Sequence, residues 1–322
     1  MHVLIIGAAG MVGRRLTAKL LESGMAAGKK ITAMTLQDVV TPAYPEGAPF
    51  PVVVAKGDVS TPGEAERLIA ARPDLIFHLA AVVSGEAEED FDKGYRINFD
   101  GTRFLFDAVR LAGYCPRVVF TSSIAVFGAP FPDVIGDEFF STPLTSYGTQ
   151  KAVGELLLAD YTRRGIFDGV GIRLPTIVVR PGKPNKAASG FFSNIIREPL
   201  AGLPAVLPVS RDVVHWMASP RSAAGFLLHA AEIDGAAIGP RRNLTMPGLA
   251  ISVGEMIEAL GAVAGPERVA LIKETPDETI KAIVAGWPRT FDATRAKDLG
   301  FVAETSFEDI IRAHIEDEGI VL

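Results

Sequence analysis

The chain has 322 residues, 48% of them hydrophobic and 22% charged, and a net charge of −6. That is ample for a large core, and the acidic balance excludes the broad basic surface a nucleic-acid binder needs. The single Cys115 excludes an internal disulfide or a cysteine-based zinc site, and no apolar run is long enough to span a bilayer.

His2-Val3-Leu4-Ile5-Ile6 is an apolar, β-branched run and predicts a buried parallel strand. Gly7, Gly10 and Gly13 predict a tight turn, after which Leu16 and Leu20 fall on one face of a helix. A strand that turns on glycines into a helix offers free N–H groups, here those of Met11 and Val12, and a positive dipole end to a phosphate. Gly7 and Gly10 admit a pyrophosphate to the backbone, and Gly13 lets helix and strand pack closely. With no basic leader ahead of the strand, a cytoplasmic protein is the expectation.

A second strand, Ile31–Leu36, ends in Gln37-Asp38. A carboxylate there accepts hydrogen bonds from both hydroxyls of an adenosine ribose and repels a 2′-phosphate, which favours NAD over NADP. Arg14 and Arg15 are the counter-evidence, because an arginine can hold that phosphate. Val52–Ala55 is a third strand, and Asp58 and Val59 after it are placed to flank an adenine ring; Asp58 reads equally as a helix cap. Leu75–His78 runs into Leu79, Ala80 and Ala81, where small residues bring the backbone against a cofactor. His78, inside an apolar strand, reads as structural. Ser84 stands at the mouth of the cleft. Phe91–Ala112 predicts one long helix carrying Asn98 on the cofactor side, whose amide suits bracing a neighbouring strand or a water chain and reads equally as a polar residue on a helix face. Arg117–Thr121 is the fifth strand, Tyr147–Tyr161 a helix and Val170–Leu174 the sixth strand. Strands alternating with helices predict an α/β, Rossmann-like, doubly wound parallel sheet with right-handed crossovers. The expected division is residues 1–174 for the dinucleotide and 175–322 mostly for substrate, a smaller α/β region with some segments returning to the sheet. Weak helical periodicity marks 253–263 and 307–315.

Tyr147 and Lys151 fall one helical turn apart on one face. A phenol, with a pKa of about 10, is a poor base at neutral pH, but a nearby ammonium and an oxidised nicotinamide both favour its ionised form. Tyr147 then takes the proton of a substrate hydroxyl while the carbon beneath gives hydride to NAD, and Ser123 steadies the same oxygen. No metal is implied.

The GxxGxxG turn, the His78–Ala81 exit, Ser123 before Val126-Phe127-Gly128, and the Tyr147/Lys151 pair together resemble the extended short-chain dehydrogenases/reductases, the NAD-dependent epimerase/dehydratase family. The resemblance implies that Pro175 and Ile177 line the nicotinamide side and that the chain forms a homodimer through the helices around 91–112 and 147–161. A narrower resemblance lies in HLAAVVSGEAEEDFDKGYRIN, LPTIVVRPGKPNKAASGFFSNIIREPL, HWMASPRSA and RRNLTMPG. It implies oxidation of a four-carbon sugar acid at its 2-hydroxyl. Ile124 and Ala125 beside Ser123 cannot move a proton, which disfavours elimination. Thr176 stands where nucleotide-sugar epimerases often carry Asn, but Arg211-Asp212-Val213-Val214-His215 resembles an epimerase segment whose Arg binds diphosphate. A nucleotide-sugar 4-epimerase and a non-catalytic dinucleotide binder are therefore the alternatives. A small anionic acid needs a cation near the hydride site, for which Arg180, Lys183, Lys186 and Arg211 are candidates. Ser84, Ser123 and Thr176 suit its hydroxyls, and His215 and Trp216 read as pocket wall or core.

Overall fold

Alternation along the first strand dictates a layer on each side of a sheet. In the computed structural model, which describes residues 1–182 and 189–322, Val3 and Ile5 point into one core and Leu4 and Ile6 into the other. The elements are β1 (His2–Ile6), α1 (Met11–Ser23), β2 (Ala33–Asp38), β3 (Val52–Lys56), α2 (Glu64–Ile69), β4 (Leu75–His78), α3 (Ser84–Glu89), α4 (Phe91–Gly94), α5 (Gly101–Ala112), β5 (Arg117–Ser123), α6 (Ser146–Arg163) and β6 (Asp168–Leu174). After these come β7 (Thr176–Ile177), α7 (Gly190–Leu200), β8 (Val214–Ala218), α8 (Pro220–Glu232), β9 (Asn243–Thr245), β10 (Leu249–Ser252), α9 (Val253–Ala264) and α10 (Phe307–Glu318).

Seven strands pair in the order β9-β6-β5-β4-β1-β2-β3, every pair parallel. The order reverses at β1, between β4 and β2, so a crevice opens beyond the carboxyl ends of those strands. One face is covered by α1 and α8, through Leu16, Leu20, Phe226 and Leu227. On the other face lie α2, α5 and α6, through Leu68, Leu105, Phe106 and Leu158.

The second half of the chain is shared between two cores. α8 and β9 return to the large sheet, whereas α7, α9 and α10 pack together through Phe192, Ile196, Met256, Leu260 and Ile311 beside the three-stranded sheet β10-β8-β7. The expected helix over 91–112 departs from regular α geometry: a π-helical segment, Tyr95–Asp100, joins α4 to α5. The extra residue per turn there belongs to the stretch that carries Asn98, whose buried amide accepts from Val82 N (2.9 Å) and donates to Val82 O (3.2 Å) and Gln150 Oε1 (2.7 Å).

Candidate active site

The glycine turn closes against both neighbours of β1. Gly7 N and Ala8 N donate to Gln37 O, at 2.8 and 3.0 Å, and Leu79 N and Ala80 N donate to Ile6 O, at 2.8 and 3.0 Å. Gly7 has φ +93°, and a Cβ on it would lie 2.7 Å from Ala80 N. A Cβ on Gly13 would lie 2.2 Å from Gly7 O. Exposed Gly10, in contrast, would place a Cβ 3.4 Å from Gly7 O, an ordinary contact. α1 has no side-chain cap and no acidic residue in its first turn, so its leading N–H groups are left for an anion. Beside the turn, Asp38 accepts Ala9 N at 2.9 Å and Val40 N at 3.1 Å. Arg15 is committed to Asp317 and Glu318 near the end of α10, which removes it as a 2′-phosphate ligand. This cradle and its acidic neighbour fit NAD.

Other expected adenine-side residues are already engaged. Asp58 accepts Ser60 N at 2.9 Å, Ser60 Oγ at 2.5 Å and Arg96 at 2.7 Å. Burial alone would raise its pKa, but the hydrogen bonds from Ser60 and Arg96 outweigh it and hold the carboxyl below the usual range. Val59 turns its side chain into the core against the position of Gly101.

From the glycine turn a cavity of about 510 Å³ runs across the ends of β4, β5 and β6. Met11, Val12, Leu79 and Ala81 wall its cofactor end. Ser123, Tyr147, Lys151, Pro175 and Ile177 line the same cavity, as do Ser84, Thr176 and Arg180. Tyr147 and Lys151 are placed by α6, whose first turn is capped by Thr145 Oγ accepting Gly148 N at 3.0 Å. Lys151 is buried. Its Nζ donates to Thr121 O at 2.8 Å and sits 5.7 Å from the Tyr147 ring centroid. Burial pushes Lys151 down to about 8, against the upward pull of Glu155 one turn further along. Glu155 is itself clamped by Ser122 Oγ (2.5 Å) and by both Nε (2.9 Å) and a terminal nitrogen (2.7 Å) of Arg173.

The phenol differs from the sequence expectation. Burial pushes Tyr147 up, and the groups that pull it down are the Ser123 hydroxyl and the Arg180 guanidinium. Lys151, expected to favour the ionised phenol, keeps its ammonium 5.7 Å from the Tyr147 ring centroid while donating it to Thr121 O.

Of the candidate cations, Lys183 and Lys186 lie outside the described residues. Arg211 is exposed, paired with Glu274 at 2.7 Å and absent from the cavity wall. Arg180 lines the cavity; its Nε donates to Ile177 O at 3.0 Å and a terminal nitrogen to Ser189 Oγ at 3.1 Å. Among the described residues it has no carboxylate partner, whereas Arg197 beside it is neutralised by Glu198 at 2.5 Å. Arg197 and Ser193 also line the cavity and were not expected there. Their i, i+4 spacing on α7 was the available signal. His215 joins the wall, while Trp216 donates Nε1 to Met246 O at 3.1 Å and belongs to a separate small core.

A parallel sheet in this order, with a glycine cradle at its switch point and a Ser–Tyr–Lys set in the adjoining cavity, defines an NAD-dependent oxidoreductase of Rossmann type. The chain belongs to the NAD-dependent epimerase/dehydratase family, whose family model matches residues 3–217. It is 46% identical over 324 residues to D-erythronate dehydrogenase of Cupriavidus necator, covering 99% of each chain. To the D-erythronate dehydrogenase of Haemophilus influenzae it is 41% identical over 316 residues, covering 98% of this chain and 99% of that one. A crystal structure described as a nucleoside-diphosphate-sugar epimerase from Agrobacterium tumefaciens superposes with a TM-score of 0.97 at 64% identity, over 100% of this chain and 95% of that one. Among the described residues no helix is long and apolar enough to cross a membrane.

Proposed function

We propose that the chain oxidises D-erythronate at its 2-hydroxyl to 2-dehydro-D-erythronate, with Tyr147 as the base. The observation that carries this reading is Arg180: a guanidinium in the same cavity as the phenol, with no carboxylate of the protein to neutralise it among the described residues. A planar cation of this kind suits a substrate carboxylate in two-point contact. The two relatives named for this sugar acid supply the particular substrate. Ser123 and Tyr147 hold the C2 oxygen between them, Tyr147 takes its proton, and Lys151 supports the phenolate side electrostatically. NAD supplies the acceptor for the C2 hydride. Met11 and Val12 carry the pyrophosphate, Asp38 the adenosine ribose, and Pro175 and Ile177 bound the nicotinamide end.

A nucleotide-sugar 4-epimerase is the second reading, favoured by the name attached to the 64% identical structure. It needs a cation for a diphosphate, and Arg211, the residue suited to that, spends its charge on Glu274 away from the cavity. One assay separates the two. Protein, NAD and a panel of four-carbon sugar acids should yield stoichiometric NADH with D-erythronate. Isomerisation of a sugar nucleotide without net NADH would replace this reading with the epimerase.

The exposed apolar side chains Phe91, Leu111 and Leu156 lie on the helices expected to pair in a homodimer. Light scattering at twice the 34.2 kDa chain mass supports that assembly, and a monomeric mass removes it.

A further inference from the structure

His215 is buried in the cavity wall, its ring stacked on Phe192 (centroids 5.4 Å apart, planes 3° apart) and against Trp287 at 5.3 Å. Nδ1 lies 3.0 Å from Pro288 O, and Nε2 lies 2.7 Å from Thr176 Oγ1. A carbonyl oxygen only accepts, so the Nδ1 contact requires a proton on Nδ1. Burial pushes His215 down to about 4, so at neutral pH the ring carries only that proton and Nε2 is a bare lone pair. The Thr176 hydroxyl must donate to Nε2. Having spent its one proton, it shows the cavity lone pairs alone.

We propose that the Pro288–His215–Thr176 chain makes Thr176 an obligate acceptor in the substrate cavity, so that the site demands a substrate hydroxyl besides the one oxidised and rejects acids that lack it. The proposal rests on the sugar-acid reading and sharpens it. A hydroxyl at C3 or C4 donates to Thr176 Oγ1. A carboxylate cannot, since two acceptors would face each other, and this leaves the carboxylate to Arg180. A deoxy carbon leaves the Thr176 lone pairs buried under the substrate with no donor, which is costly. Thr176 is the specificity residue, and His215 positions its proton.

The test compares kcat/KM for D-erythronate with that for its 3-deoxy and 4-deoxy analogues. Wild-type enzyme should favour D-erythronate over one of them by roughly a hundredfold or more. Thr176→Val should lower the D-erythronate value by a similar factor and leave that analogue within about threefold, collapsing the ratio; Thr176→Ser should restore it. A merely structural role would lower all substrates alike, and a ratio unchanged in Thr176→Val overturns the proposal. Nitrogen-15 spectra of the imidazoles, with His215→Phe for assignment, read the hydrogen-bond direction without any substrate. Protonated Nδ1 and bare Nε2 at pH 7 are expected, and a proton on Nε2 overturns the proposal even if D-erythronate is turned over. Absence of D-erythronate turnover with the expected tautomer refutes the substrate reading instead.

Discussion

Burial and chemistry pull Tyr147 in opposite directions. Packing raises the phenol, yet a base in this position must lose its proton to act. Ser123 and Arg180 offset part of the penalty, and further positive charge comes with oxidised NAD. In the free enzyme the phenol stays protonated through the neutral range, so kcat/KM for oxidation should rise from pH 6 to pH 8; a flat profile would remove Tyr147 as the base. Tyr147→Phe should keep NAD affinity by calorimetry and lose about a hundredfold or more in turnover, followed as NADH absorbance. The Tyr147/Lys151 pair was legible because a helix turn fixes its spacing. The pull of the Arg180 guanidinium on the phenol was not, since it acts between α6 and a segment after β7. Asp38 was legible from its place at a strand end. Asp38→Asn should weaken NAD binding by roughly tenfold, through loss of charge-assisted hydrogen bonds, and narrow the preference over NADP. Unchanged titrations with both nucleotides would take Asp38 out of the cofactor site.

The helix that carries this pair is placed by what it lacks. A Cβ on Gly148 would lie 2.1 Å from Ala125 O, so the start of α6 rests directly on the turn after β5. That contact sets Tyr147, one residue earlier, against Ser123. Gly148→Ala has to widen that gap from 2.1 Å to at least 3.0 Å, pushing α6 away. The expected result is a tenfold or greater fall in kcat with NAD affinity kept, since a misplacement on that scale spoils a near-attack geometry. Wild-type kcat in this variant would mean that the base tolerates the shift. Strand β9 was the least legible element: Asn243-Leu244-Thr245 is too short to show a period, and only pairing with Gly171–Arg173 of β6 makes it a strand. The π-helical turn was equally hidden, because Tyr95–Asp100 has ordinary helical composition and its geometry answers to Asn98 reaching Val82.

At the scale of the whole chain, a return of some segments after residue 174 to the large sheet was expected from the sequence, but not which segments return. Local sequence does not record that α8 and β9 join the first core while α7, α9 and α10 form another, because both sets carry similar apolar spacing and only long-range packing sorts them. The two cores share a liability to acid. His78 is buried at the end of β4, His215 is buried in the cavity wall, and His314 lies inside α10. Burial pushes His78 down to about 3, with Lys151 adding to it, and pushes His215 and His314 down to about 4. The unfolded chain binds these protons below about 6.5, where the folded chain does not. Stability therefore rises with pH across this window and is lost as pH falls from about 6.5 towards 4. Each histidine contributes up to about 1.4 kcal/mol per pH unit, so the three together set a slope of up to about 4 kcal/mol per unit. Urea midpoints at pH 7, 6 and 5 should fall steeply, above the range in which ordinary carboxylates titrate. His314→Gln, far from the phenol, should remove about a third of the slope. A pH-independent midpoint between 6.5 and 5 would mean that these rings take up protons without unfolding, and so that water reaches both cores.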